Sequence, residues 1–115
     1  MRYYISGQIT NNPIYLKDFE NAEIWLKVQH FEVINPTKIG VYDFFSYAEY
    51  MKIDLFLLAM CDGIYMLNNW EKSKGAKTEL AVAKSLGKKI MFETKNSKKQ
   101  TEQLIAKIRE QNESR

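Results

Sequence analysis

A single-domain, three-layer α/β/α sandwich on a parallel sheet of four to five strands, Rossmann-like or flavodoxin-like, is the fold class this sequence predicts. Two observations predict it. Short runs rich in aromatic and β-branched residues alternate strictly with longer runs whose apolar residues recur at helical spacing. The junctions between them carry the breakers: Gly7, Pro13, Pro36, Gly40, Gly63 and Gly87. Strict β-α alternation implies parallel strands joined by right-handed helical crossovers, with helices on both faces of the sheet.

Residues 2–6, RYYIS, are aromatic and β-branched and stop at Gly7, which reads as a first strand. Loop chemistry follows over 7–13. From Ile14 to about His30 the apolar residues Leu16, Phe19, Ala22, Ile24, Trp25, Leu26 and Val28 predict a helix. FEVIN, 31–35, is a second short strand, stopped by Pro36, and 37–45 is loop. Ser46 and Glu49 stand in the S-x-x-E relation of a capping box, so a helix is expected from Ser46 to about Met60. GIYML, 63–67, is a third, buried strand, and 68–74 is loop. A helix is expected over 75–86 with Gly87 as its C-terminal cap, then a strand KIMFE over 89–93, then an amphipathic helix over about 97–112. The terminal ESR is expected to fray. One domain over 1–115, with its core in 2–93, accounts for the whole length.

Composition narrows the function classes. The net charge is only +3, and much of the lysine excess falls in 84–99, where it reads as a solvated face. Nucleic acid is therefore not an expected partner. The apolar run Ile53 to Leu67 is broken by Asp54, Asp62 and Gly63, so it does not predict a membrane span. The apolar stretch at the N-terminus is too short for a signal peptide. The single cysteine, Cys61, lies in an apolar run and reads as a small buried hydrophobe in a reducing compartment, which makes the cytoplasm the expected location. One histidine and one cysteine leave no set of metal ligands, and no metal or cofactor is expected.

Ligands of parallel sheets bind beyond the carboxyl ends of the strands. Those ends lead here into 7–13, 36–45, 68–74 and 94–96, which hold most of the unusual polar residues. Asp54 shares one helix face with Met51, Leu58 and Cys61. A carboxylate in an apolar stripe either has its pKa raised or sits at the rim of the stripe, where it meets water. Glu79 follows Gly75 by one turn, near a helix N-terminus whose partial positive charge favours an ionised carboxylate; first-turn acids are also common on purely structural grounds. Gly7, Gln8 and Ile9 open a loop whose backbone N–H groups suit a phosphate or sugar hydroxyls, but a single glycine supports neither a dinucleotide fingerprint nor a P-loop. Tyr3 and Tyr4 alternate and should face opposite helix layers. Asn68, Asn69 and Trp70 close the third strand, and the tryptophan suits either a planar base or a cap on the core.

These pieces together, YISG-x-I at the start, D-x₇-D-G-I-Y-M-L in the middle and N-W-x-x-S-x-G-A-x-x-E-x-x-x-A after it, resemble the nucleoside 2-deoxyribosyltransferase-like superfamily, and within it the DUF4406 group. The resemblance covers residues 2 to about 93. It implies a glutamate nucleophile at Glu79, an aspartate assisting at the nucleobase at Asp54, and a tyrosine contacting the nucleophile at Tyr4. It also implies substrate contacts from Gly7, Gln8, Ile9, Asn68, Trp70, Ser73 and Gly75, and a nucleoside or nucleotide as the small-molecule partner. The first loop carries no arginine, and the superfamily's E-L-G reads E-L-A here, so a 5′-phosphate requirement is not implied.

Two classes of function stay open: N-glycosidic cleavage or transfer through a carboxylate nucleophile, and a binding module for a nucleotide derivative on the same scaffold. The former follows the two-carboxyl logic of a retaining glycosidase. The second helix carries more apolar surface than one sheet face needs, at Tyr47, Tyr50 and Phe56, so a homodimer or higher homo-oligomer through it is expected.

Overall fold

The computed structural model describes residues 1–113. Four strands, β1 (Arg2–Ser6), β2 (Glu32–Ile34), β3 (Gly63–Met66) and β4 (Lys89–Phe92), form one all-parallel sheet in the order β2-β1-β3-β4. The helices are α1 (Tyr15–Val28), α2 (Tyr47–Ala59), α3 (Lys74–Ser85) and α4 (Lys95–Glu113). The expected fold class is confirmed, with four strands at the lower end of the expected range.

Period-two alternation sorts the side chains of the central strands into two cores. Tyr4, Ile64 and Met66 face α2 and α3, where Leu58, Cys61, Ala76, Leu80 and Ala83 close over them. Tyr3, Ile5, Tyr65 and Leu67 face α1, which contributes Phe19, Ala22 and Leu26. The two tyrosines thus part to opposite layers, as alternation predicts, and Cys61 is buried as expected. Each such fully buried large side chain contributes on the order of 2 kcal/mol of hydrophobic stabilisation. Gly63 is required by close approach: a Cβ there would meet the Tyr3 ring at 2.5 Å.

The element boundaries differ from the sequence expectation where local hydrogen bonds decide them. Ser46 caps α2 through the full capping box with Glu49, as read. Helix α3 begins at Lys74 rather than Gly75, because the Ser73 hydroxyl accepts the Ala76 N–H and makes Ser73 the cap. Helix α4 begins at Lys95 rather than Ser97, because the Thr94 hydroxyl accepts the Ser97 N–H while the Ser97 hydroxyl accepts the Thr94 N–H. It runs through Glu113, so the tail expected to fray is helical at its first residue; Ser114 and Arg115 lie outside the described residues.

Helix α1 begins at Tyr15, one residue later than expected, and ends at Val28, where His30 takes the positive φ of 68° that usually calls for glycine. Gly87, with φ of 67°, ends α3 as predicted. Strands β2, β3 and β4 are each shorter than the apolar runs that announced them. A 3-10 turn at Pro36–Ile39 runs into the expected loop 37–45, and another at Trp70–Lys72 lies within the expected loop 68–74. Among the described residues no helix is long and apolar enough to cross a membrane.

The strand order fixes where a ligand crevice opens. The chain moves outward from β1 to β2, then crosses back over β1 to β3 and on to β4. The reversal lies between β1 and β3, and the loops leaving these two strands, after Ser6 and after Met66, part there.

Candidate active site

Glu79 occupies that reversal point. It stands in the second turn of α3, next to Leu80 of the core, and is 5% exposed. Two strand hydroxyls reach it from β1. The Tyr4 hydroxyl donates to Oε2 at 2.5 Å and the Ser6 hydroxyl to Oε1 at 2.6 Å. Tyr4 and Ser6 are two apart on the strand, so both project to the face covered by α2 and α3. Each carboxylate oxygen is therefore held by one O–H, and the plane of the carboxyl group is set by the strand rather than by its own helix.

Asp54 approaches from α2. It shares its helix face with Leu58 and Cys61, which are buried in the same core as Tyr4, and with the partly exposed Met51. It lies near enough to Glu79 and Tyr4 for its charge to disfavour ionisation of both. The two carboxyls therefore lie on the same side of the sheet. The apolar surroundings push the Asp54 carboxyl up to about 6, as its place in an apolar stripe predicts.

Glu79 departs from expectation in one respect. Burial pushes its carboxyl up to about 7, against the lowering effect of the Ser6 and Tyr4 hydrogen bonds, and Asp54 adds to the rise. A lowering by the helix dipole was expected. Glu79 lies beyond the first turn, where that effect fades, and desolvation wins. Tyr4 is pushed well above its ordinary value by its own burial and by the charge of Glu79, so its hydroxyl remains a donor.

The remaining expected site residues lie in the segments that follow β1 and β3 and at the start of α3. Gly7 is buried where β1 ends, and a Cβ there would run into Leu67 at 2.7 Å. Gln8 donates its backbone N–H to Asn69 Oδ1 at 3.1 Å, tying the β1 loop to the β3 loop across the crevice. Ile9 is exposed. Asn68 is exposed and gives its backbone N–H to Glu93, which turns it toward β4. Trp70 packs against the Glu79 side of the core with its ring 5.9 Å from that of Phe92. Gly75 lies under the start of α2: a Cβ there would meet Met51 Sδ and Tyr47 Oη at 3.3 Å.

Of the ten residues singled out, Glu79, Asp54 and Tyr4 are brought into one cluster. Ser73 has its hydroxyl committed as a helix cap. Sequence reasoning missed Ser6 and left Asn69 without a role. The signal for Ser6 was available, since any residue two after Tyr4 in a strand shares its face. The role of Asn69 depends on a contact between two loops that are distant in sequence.

Solved structures share this fold, two of them as follows. One is a 2-deoxyribosyltransferase from the psychrotolerant bacterium Bacillus psychrosaccharolyticus, 23% identical, with a TM-score of 0.64 over 80% of this chain and 71% of that one. The other is the CMP N-glycosidase BcmB from Clostridium botulinum, 23% identical, with a TM-score of 0.58 over 80% of this chain and 70% of that one. No curated protein sequence matches the chain. The sheet order, the crevice between β1 and β3 and the expected resemblance therefore agree with a nucleoside 2-deoxyribosyltransferase-like fold. The family described as a domain of unknown function, DUF4406, matches residues 1–92, and this chain belongs to it.

Proposed function

We propose that this protein cleaves or transfers at the N-glycosidic bond of a nucleoside or nucleotide, with Glu79 as the nucleophile. The observation that carries the reading is a buried glutamate at the reversal point of the sheet, held through both oxygens by strand hydroxyls and facing a second carboxyl on its own side. The two similar folds belong to a 2-deoxyribosyltransferase and a CMP N-glycosidase, which supports N-glycosidic chemistry in general.

In the proposed reaction a carboxylate oxygen of Glu79 bonds to the anomeric carbon as the bond to the base nitrogen breaks. The departing base takes its proton from Asp54, whose apolar setting raises its carboxyl to about 6, so that its protonated form is a minor one at neutral pH. Water or a second base then attacks the anomeric carbon of the glycosyl ester, giving its proton back to Asp54 as the bond to Glu79 breaks. Asp54 and Glu79 titrate as a pair, and the productive form has the proton on Asp54. Tyr4 and Ser6 favour that form, because hydrogen bonds from their two hydroxyls are stronger to an ionised Glu79 and lower its pKa. Both are positioning residues. The crevice rim, Gly7, Gln8, Ile9, Asn68, Trp70, Ser73 and Gly75, would bound the substrate.

A second reading, a binding module for a nucleotide derivative, draws on one observation: the Glu79 carboxylate is nearly enclosed and both of its oxygens accept from strand hydroxyls. Incubation with a panel of nucleosides, 2′-deoxynucleosides and their monophosphates separates the two. Release of free base by the wild type, lost in Glu79→Gln, supports catalysis. A ligand that raises the melting temperature without base release supports binding alone.

A self-association surface is part of the proposal. Phe56 on α2 is 68% exposed, and Val41 and Phe44 in the preceding loop are 76% and 77% exposed. Tyr50, expected in the same surface, is instead the anchor of that loop, its hydroxyl accepting the Tyr42 N–H and donating to the Tyr42 carbonyl. Light scattering at tens of micromolar should show a dimer or larger species that Phe44→Ser/Phe56→Ser reduces to a monomer. A wild type that is already monomeric rejects the surface.

A further inference from the structure

The opposite face of the sheet carries a second polar cluster, which the proposed reaction does not use. Glu23 on α1 is 6% exposed. Its Oε2 receives Lys27 Nζ at 2.6 Å and Lys38 Nζ at 2.7 Å, and its Oε1 receives Asn35 Nδ2 at 3.1 Å. The cluster lines a groove of about 410 Å³ between α1 and the segment after β2, and Leu16 and Ile24 of α1 line it too. That volume lies in the range of small-molecule sites.

Burying such an ion cluster gives little stability over an apolar side chain of the same shape, so stability alone does not account for it. Its geometry matters more. Both ammonium groups bond to the same carboxylate oxygen, so they stand no further apart than those two bonds laid end to end. Glu23 offsets one of the two cations by direct contact; Glu20, which also lines the groove, makes the lining as a whole formally neutral but bonds to neither ammonium. Each ammonium spends one N–H on Glu23 and has two left, and both side chains are more than half exposed. Leu16, also more than half exposed, offers an apolar wall to the same groove. Glu20, exposed and also lining the groove, opposes a second negative charge on any occupant.

We propose that this groove is a second ligand site, which takes a small monoanionic carboxylate with an apolar body: the carboxylate bridges Lys27 and Lys38, and the body lies on Leu16 and Ile24. Glu23 acts as the buried anchor that draws the two ammonium groups together. Asn35 braces the anchor, since its Oδ1 accepts both the backbone N–H and the hydroxyl of Thr37 while its amide holds Glu23. The site is independent of Glu79 and does not rest on the N-glycosidic reading.

Titration of the full chain with hexanoate, followed by amide NMR, tests it. Saturable shifts are expected at Lys27, Thr37 and Lys38, with hexylammonium giving none there and inorganic phosphate, which lacks an apolar body, a weaker response. Lys27→Gln/Lys38→Gln should weaken hexanoate binding by roughly tenfold or more, as the loss of charge-assisted hydrogen bonds requires. Because that variant leaves Glu23 buried without its cations, Leu16→Ser, a change at an exposed position, gives a second measure and should weaken binding several-fold. Glu79→Gln should bind hexanoate like the wild type. The site is rejected if the shifts at these amides do not saturate, if hexylammonium reproduces them, or if hexanoate affinity survives both the lysine and the Leu16 changes.

Discussion

Glu23 and Glu79 are the same residue type, buried to nearly the same extent on opposite faces of one sheet, and they behave in opposite ways. Burial alone would push both up. At Glu23 the hydrogen bonds from Lys27, Lys38 and Asn35 outweigh burial and hold the carboxyl below the ordinary range. At Glu79 only the neutral hydroxyls of Ser6 and Tyr4 oppose burial, and the carboxyl rises to about 7. Charge compensation keeps the first an anion at neutral pH. Its absence makes the second a group poised to change state near neutral pH, which is what a reacting carboxylate requires.

The contrast breaks most visibly in activity. Glu79→Gln should lower base release on the order of a thousandfold or more, the scale at which an essential nucleophile is lost. The measurement is single-turnover base release on whichever substrate the panel identifies.

The same substitution should act in the opposite sense on stability. A carboxyl whose folded value is raised from 4.5 to about 7 contributes stability that is fully present below about 4.5 and is lost as pH rises through 7. At pH 8 Glu79→Gln is therefore expected to be more stable than the wild type by up to about 3 kcal/mol, and the gain should vanish at pH 4. Chemical denaturation at the two pH values checks both signs.

Glu23→Gln should show the reverse. A depressed carboxyl contributes stability that is present above its unfolded value and lost as pH falls through the folded one. The variant should be less stable at pH 7 by about 1–2 kcal/mol, a figure kept small because both ammonium partners are largely solvated. The difference should shrink on acidification. If both glutamine variants move stability the same way at pH 7, the contrast between the two carboxyls is wrong.

The smallest effect sharpens the role of Ser6. Removing a donor that lowers the Glu79 pKa should shift the pH profile of base release upward by less than one unit in Ser6→Ala, with a loss of roughly tenfold in rate. In the wild type the profile should be bell-shaped, with apparent limbs near 6 and near 7. A Ser6→Ala profile that overlays the wild type removes Ser6 from the mechanism.

Much of this arrangement was legible in the residues. Alternation of short apolar strands with helical runs announced the parallel sheet, and Ser46 with Glu49 announced the start of α2. The helix face shared by Met51, Asp54, Leu58 and Cys61 announced a desolvated aspartate. What escaped the reading depended on three dimensions. The pKa of Glu79 is decided by how completely α2 and β1 enclose it, which local spacing does not reveal. Glu23 lay unremarked inside a helical pattern because its partners, Asn35 and Lys38, arrive only after β2 turns the chain back. The link from Gln8 to Asn69 joins loops that meet only because β1 and β3 are neighbours.

The two hydroxyls on Glu79 come from Tyr4 and Ser6, and the residues between and beside them, Ile5 and Tyr3, face the other layer. The chemistry of this cleft is thereby written in the parity of a five-residue strand. Deleting one residue ahead of Tyr4 while the remaining strand keeps its place would spare both hydroxyls. Deleting Ile5 would throw one of them through the sheet to the far side, whichever end of the strand stayed put. A length change in the loop after Gly7 leaves that odd-even count untouched. A change of length in that loop would leave Glu79 both of its holds, whereas a single-residue change in length between Tyr4 and Ser6 would cost the glutamate one of them.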